Sequence, residues 1–416
     1  MKKLIALTFA MLFLGAGIAC ATDFTLTGSY YVRGSYFDNV QAYTTGGTTT
    51  TKTDGINVAS FTNYDHELSV DANWKIDDTT KVFARFEMRD ETWMGRSLNA
   101  NEGTAGSALA QLDDNIIVEQ VWGSHTFGSG HTLTVGLMSS GAWATSFQDN
   151  GSEAYRIKYV APTSAGTFIG ILQKNVEAGS ITVGEDNDND SYILGIITKF
   201  GDINVKPLFV YTKADNRTTT SAYDAITVNL ALDGTFGNIG FETEAGYNDK
   251  DFDTTASTAS TDYSTYGAYL NVWMNSGALK VGILGAYGSY DTDANKGHDF
   301  GDDFSAGGAL IMGDDITFNG SGTDLDAGRL VAVYFGYAVS DQLSIGGYAG
   351  YAKCGVDNNG IWDGAKVSEI SFNASYAITA NLTYKVAAGT AQLTWGNNTP
   401  DPDRAVELYH KLSFSF

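Results

Sequence analysis

From Phe24 onward the chain alternates with a period of two. Phe24, Leu26, Gly28, Tyr30, Val32, Gly34 and Tyr36 share one face, and Thr25, Thr27, Ser29, Tyr31, Arg33 and Ser35 share the other. Further on, Leu68, Val70, Ala72 and Trp74 oppose Glu67, Ser69, Asp71 and Asn73. After a polar turn at 77–80, Val82, Ala84, Phe86 and Met88 oppose Lys81, Arg85, Glu87 and Arg89. Charges at every second residue do not fit the dry core of a sandwich. They fit a strand with one face toward hydrocarbon and the other toward a water-filled lumen.

Continued along the chain, the pattern predicts strands over 23–37, 61–76, 81–90, 116–127, 132–138, 155–160, 167–176, 191–200, 203–213, 223–232, 238–248, 262–275, 278–290, 327–338, 343–353, 366–378, 381–395 and 404–416. Short joints at 77–80, 128–131, 161–166, 201–202, 233–237, 276–277, 339–342 and 379–380 alternate with longer ones at 38–60, 91–115, 139–154, 177–190, 214–222, 249–261, 291–326, 354–365 and 396–403. Short turns on one rim and long loops on the other are the arrangement of a transmembrane antiparallel β-barrel of about 18 strands. The faces of 116–127 and 278–290 are ambiguous, and merging one hairpin would leave 16. Tyr36, Trp74, Trp122, Tyr159, Tyr211, Tyr247 and Tyr376, near strand ends, suit the aromatic girdles at the two membrane interfaces.

The last strand ends on an aromatic residue. Val406, Leu408, His410, Leu412, Phe414 and Phe416 face one way, and Glu407, Tyr409, Lys411, Ser413 and Ser415 the other. Such an edge invites aggregation unless it closes on the first strand. At the other end, Lys2 and Lys3, the apolar stretch 4–18 and Ala19-Cys20-Ala21 read as a signal peptide cleaved after residue 21, leaving one barrel domain over 22–416. Acylation at Cys20 is the competing reading. Removing Lys2 and Lys3 leaves 23 basic residues against 48 acidic ones, a net charge near −25, with Cys354 as the remaining cysteine. No intramolecular disulfide can then form, and the acidic balance argues against a nucleic-acid partner.

No run of eighteen apolar residues is available for a membrane helix. Four prolines, 48 glycines and 45 phenylalanines plus tyrosines suit strands and tight turns. A mean hydropathy of −0.13 looks like that of a soluble protein, as expected when lipid-facing and water-facing residues alternate.

The C-terminal 404–416 stretch, with Leu412, Phe414 and Phe416, resembles the signature that the outer-membrane barrel-assembly machinery reads. With the opening Thr22-Asp-Phe-Thr-Leu-Thr-Gly-Ser-Tyr-Tyr-Val-Arg-Gly-Ser-Tyr-Phe37, the chain resembles the trimeric porins of Gram-negative outer membranes. The resemblance implies a homotrimer among outer-membrane lipid and lipopolysaccharide, passive diffusion of ions and small hydrophilic solutes, and an external loop folded into each barrel. In sixteen-stranded relatives that is the third external loop. Here the third is 139–154, with Asp149 and Glu153 as candidate constriction residues, although it lacks the Pro-Glu-Phe-Gly-Gly run of the best-known members. The long 291–326 joint is a rival, because residues 306–313 are too apolar for a solvated tip.

Inward positions set the expected selectivity. Arg33, Arg85, Arg89, Arg156 and Lys158 form a candidate basic wall, with Glu67, Asp71, Glu87, Glu242, Glu244, Glu369 and Glu407 as acidic lining. Some of these simply pair across strands. The net charge and Glu242 with Glu244 predict weak cation selectivity. Asp186, Asp188 and Asp190 alternate as in a calcium loop, but Ser191 and Ile197 stand where an EF-hand needs Gly and Glu. A looser Ca2+ or Mg2+ site and a solvated acidic loop both remain open there; no other cofactor is expected. The five histidines are scattered and no nucleophile stands beside a base, so no enzyme is expected. The functional alternatives are a solute-selective channel, for sugars for example, and a structural or adhesive barrel with a blocked lumen.

Overall fold

The computed structural model describes residues 23–39, 60–92, 116–140, 143–148, 151–177, 188–215, 222–253, 261–301, 304, 308–312, 327–357, 362–396 and 401–416. The proposed signal segment lies outside them. The strands are β1 (Asp23–Asp38), β2 (Phe61–Lys75), β3 (Thr80–Thr92), β4 (Ile116–Thr126), β5 (Thr132–Ser139), β6 (Glu153–Thr163), β7 (Gly166–Val176), β8 (Asn189–Phe200), β9 (Ile203–Ala214), β10 (Tyr223–Phe236), β11 (Ile239–Phe252), β12 (Tyr263–Ser276), β13 (Leu279–Gly288), β14 (Tyr290–Asp291), β15 (Lys296–Gly297), β16 (Gly328–Ala338), β17 (Leu343–Cys354), β18 (Lys366–Thr379), β19 (Leu382–Thr394) and β20 (Ala405–Ser415). Among the described residues there is no helix.

Strands β14 and β15 form a two-residue hairpin on their own. The other eighteen form one sheet in which each strand pairs antiparallel with its sequence neighbours and β13 pairs with β16. The sheet closes where β20 pairs with β1, from Ser29↔Ser415 to Asp38↔Val406. The Gly28 N–H donates to the Phe416 carbonyl (2.9 Å) and the Phe416 N–H to the Gly28 carbonyl (3.1 Å). The Phe416 ring lies over Gly28, in space a Cβ there would need. Closure satisfies the edge that either terminal strand would otherwise expose. The sixteen-strand alternative is excluded.

All eighteen predicted strands are present, with ends displaced by a few residues. The largest differences are at tight turns. The 161–166 joint shrinks to residues 164–165 and the 233–237 joint to 237–238, because their neighbouring residues continue the ladders. At 237 the chain reverses in two residues with Gly237 at φ +62°, a left-handed conformation that glycine adopts without a side-chain clash. Asp249 and Asp251, read as loop residues, belong to the upper end of β11 opposite Ile226 and Asp224.

Outside, the wall is apolar all the way round. Leu26, Val121, Ile157, Leu172, Leu194, Phe209, Leu230, Leu270, Ile283, Val333, Ile370, Val386 and Phe414 are exposed on thirteen of the eighteen strands. A continuous band of this kind is stable against hydrocarbon and not against water, so the barrel spans a membrane. Tyr159, Tyr247 and Tyr376 are exposed on this outer face. Trp122 is a correction to the expected girdle: it stands opposite Gly136 and shares the inward face of Arg156, with its ring stacked on Phe83 at 5.0 Å. The stack and the Lys81 ammonium 5.2 Å from its centroid hold it inside.

The interior has two unlike halves. Along β13 and β16–β19 many inward positions are apolar or small, including Leu284, Leu330, Ala332, Ala352, Val367, Ala391 and Leu393, and Glu369 stands among them. These apolar residues are buried in one cluster with Phe147, Phe300, Phe304, Ile311 and Met312 from two loops. Beside β6–β12 an opening remains between the inward side chains and the loops.

Candidate pore and its constriction

Both candidate loops fold inward, so the two readings of the constriction were not alternatives. The third loop runs along the inner wall from β8 to β12. Trp143 seats its ring over Gly195 and donates its indole N–H to the Lys206 carbonyl (2.8 Å). Thr145 donates to Glu244 Oε2 through its hydroxyl (2.7 Å) and its backbone N–H (3.2 Å). Phe147 packs against Tyr269, Phe300 and Phe304, with centroids 5.2–5.8 Å apart. Asp149 lies outside the described residues. Glu153 opens β6, is exposed, and lies within electrostatic reach of Arg85.

The long loop meets the third one. The Gln148 N–H donates to the Phe300 carbonyl (2.6 Å), and the Gln148 amide nitrogen donates to His298 Nε2. The accepting Nε2 leaves the imidazole proton on Nδ1, which faces Thr265 Oγ1 at 3.3 Å. Burial pushes the imidazole down to about 4. Because the folded value lies below the ordinary 6.5, docking is fully stabilised above pH 6.5 and loses stability as pH falls toward 4. The loss is up to about 3 kcal/mol. Limited proteolysis of the loops should therefore accelerate between pH 6.5 and 4 in the native protein and be flat across that range in His298→Gln. Equal pH dependence in both would assign the titration elsewhere.

The inward ionic groups include ion pairs, carboxylates held by hydrogen bonds, and two cations without a carboxylate partner among the described residues. Arg33 binds Asp65 (2.9 Å), with Glu407 within electrostatic reach. Arg85 binds Asp71 through two nitrogens (2.7 and 3.0 Å), and Glu119 stands 3.9 Å away. Glu67 accepts from Ser69 Oγ (2.9 Å), and Glu87 stands opposite Ser69 in the ladder. The Arg89 side chain lies outside what is described. Glu242 accepts from Tyr269 (2.8 Å) and Asn271 (3.1 Å). Glu244 is 1% exposed beneath Thr145, and Glu369 is 2% exposed beneath the long loop.

Arg156 and Lys158 differ from these groups. Arg156 donates to Gln173 Oε1 (2.6 Å) and to the Ser139 and Ser140 carbonyls (3.1 and 3.0 Å). Neither cation meets a carboxylate among the described residues. Both line an opening of about 810 Å³ inside the β5–β12 wall, with Trp143, Ile169, Ile171, Ile193 and Val210. Lys250 lines it too, its ammonium 3.6 Å from the Tyr223 centroid. Sequence reading missed Lys250 because the end of β11 looked like loop. It also missed Trp143, Thr145 and Phe147, although two bulky aromatics in a small-residue loop were a usable sign.

Lys174 lies between Asp188 (2.5 Å) and Asp190 (2.8 Å), an ammonium where the proposed cation would sit. Asp186 lies outside the described residues, and among the described residues no group of three or more His, Cys, Asp or Glu is arranged to hold a metal.

A closed eighteen-stranded transmembrane barrel with loops folded into a partly open lumen is the architecture of the outer-membrane porins. No family model and no curated protein matches this sequence. Solved structures do match in fold. Pseudomonas aeruginosa OccK2 (OpdF), solved with glucuronate, is 12% identical with a TM-score of 0.59, covering 95% of this chain and 98% of its own. A BenF-like porin from Pseudomonas fluorescens is 11% identical with a TM-score of 0.60, covering 95% and 99%. Pseudomonas aeruginosa OpdK, solved with vanillate, is 10% identical with a TM-score of 0.54, covering 94% and 99%.

Proposed function

We propose that this chain is an outer-membrane channel selective among small solutes, and that it favours solutes carrying a carboxylate on a compact apolar or sugar-like body. The observation that carries this reading is the pair Arg156 and Lys158, neither of them bonded to a carboxylate among the described residues, beside a cavity lined by Trp143, isoleucines and Val210 together with polar groups that include Glu244, Asp249 and Asp299. An anionic group entering that space replaces water around two positive charges that make no ion pair with a carboxylate among the described residues. Glucuronate and vanillate, found with two of the fold relatives, both carry a carboxylate on a ring and support the choice.

The weak cation preference expected from the net charge rested on Glu242 and Glu244 standing free. Glu244 is engaged by the third loop and Glu242 by Tyr269 and Asn271, so we assign the selecting charge to the basic group instead. In proteoliposomes, glucuronate should enter faster than uncharged glucose, and Arg156→Ala with Lys158→Ala should remove that difference and move the reversal potential toward cations. Equal entry of both solutes into native vesicles would overturn the selectivity. No entry of either would favour a structural barrel with a blocked lumen.

A further inference from the structure

The Glu369 carboxylate sits at mid-wall on β18, opposite Gly350 and Ala391. It is almost completely buried, yet no cation is paired with it among the described residues. Instead it accepts three successive backbone N–H groups: Leu310 to Oε1 (2.6 Å), and Ile311 (3.0 Å) and Met312 (2.6 Å) to Oε2. Ser371 adds a side-chain bond. Three consecutive amides converging on one anion form a nest, and a buried charge of this kind is tolerable only while those donors stay in place. Ile311 and Met312 are fully buried over Ala332, Tyr348 and Leu393. Tyr348 and Met312 together occupy the space a side chain at Gly350 would take, and Leu310 and Ser371 the space at Gly389.

We infer that Glu369 is a positioning residue that narrows the channel: it holds residues 308–312 of the long external loop as a fixed layer over the inner face of β17–β19. The inference rests on the reading of the chain as a channel and adds the part that narrows it. Leaving the dock costs the nest its anion and strands a carboxylate among apolar side chains, so the native wall stays docked. An amide at 369 keeps one acceptor and presents N–H where Ile311 and Met312 also present N–H, so the dock is weakened without a change in side-chain size.

The test is single-channel conductance of the purified full-length protein in planar bilayers. Glu369→Gln should raise unitary conductance above the native value, since residues 308–312 leave the inner wall and widen the bore on that side. A Cβ at 389 would lie 3.3 Å from the Leu310 Cβ, close enough to the disulfide range for a small adjustment to bridge it. In a Cys354→Ala background, Leu310→Cys with Gly389→Cys should therefore return oxidised Glu369→Gln to the native conductance, and reduction should raise it again. If Glu369→Gln does not fold, Gly350→Val crowds Tyr348 and Met312 with the carboxylate intact and should give a rise of the same sign. Native-sized conductance in folded Glu369→Gln or Gly350→Val barrels, or equal conductance in the oxidised and reduced double-cysteine forms, overturns the inference. A silent native protein would instead overturn the channel reading itself.

Discussion

Arginine in place of Leu194 should nearly abolish recovery of folded barrel, whereas arginine in place of Thr212 should leave recovery close to normal. Leu194 lies midway along β8, is 64% exposed, and stands beside Gly170 and Phe209 on the outer wall. A guanidinium there meets hydrocarbon near the bilayer midplane, at a cost of about 2–4 kcal/mol. That lowers the folded-to-unfolded ratio roughly thirtyfold to a thousandfold. Thr212 stands opposite Ser191 on the inner wall and lines the open half of the lumen, where water and neighbouring polar groups solvate a charge. Urea titration of both variants folded into lipid vesicles measures the contrast. Similar destabilisation at the two sites would mean that the inner and outer faces have been exchanged.

Deleting Phe416 should produce the other large effect, a loss of folded, detergent-resistant assembly with normal conductance in whatever material survives. The deletion removes both backbone hydrogen bonds to Gly28 and the ring that covers it. Each bond contributes about 1 kcal/mol net in water, and without them the closing seam is shortened at its end. In our proposal the terminal strand, with Leu412, Phe414 and Phe416, is also what the barrel-assembly machinery recognises, and the native assembly is a homotrimer. Phe416→Ser separates the two roles, because it keeps the backbone bonds and removes the aromatic group. Native yields of heat-resistant oligomer from Phe416→Ser would remove recognition of the ring from the proposal. Native yields from the deletion would remove the seam as well.

The barrel was legible because its signal is local. Successive residues of a strand point to opposite faces, so a wall between hydrocarbon and water leaves a period of two in any ten-residue window. The same rule placed Arg156, Lys158, Glu244 and Glu369 on inward positions without knowledge of any neighbour. It failed at the top of β11, where Asp249 and Asp251 continue the ladder, so the strand goes on after its hydrophobic alternation has stopped. It also failed at Trp122, whose bulk suited an interface but whose partners, Phe83 and Lys81, face the lumen.

The filling of the barrel was not readable in the same way. Thr145 meets Glu244 across 99 positions of chain, and Leu310 meets Glu369 across 59. Those contacts depend on which strands become neighbours after closure and on which inward groups remain unsatisfied once they do. The apolar inward row of β16–β19 contradicts a wholly wet lumen, and its meaning appears only when Ile311 and Met312 lie against it. Alternation along the chain therefore determined the wall, its two faces, and its closure through Phe416. Three-dimensional complementarity determined the bore: which carboxylates are spent holding loops, and which cations are left facing the solute. Local periodicity encodes the solvent on each side of a strand, whereas the destination of a loop is set by distant groups that the chain brings together only in the closed barrel.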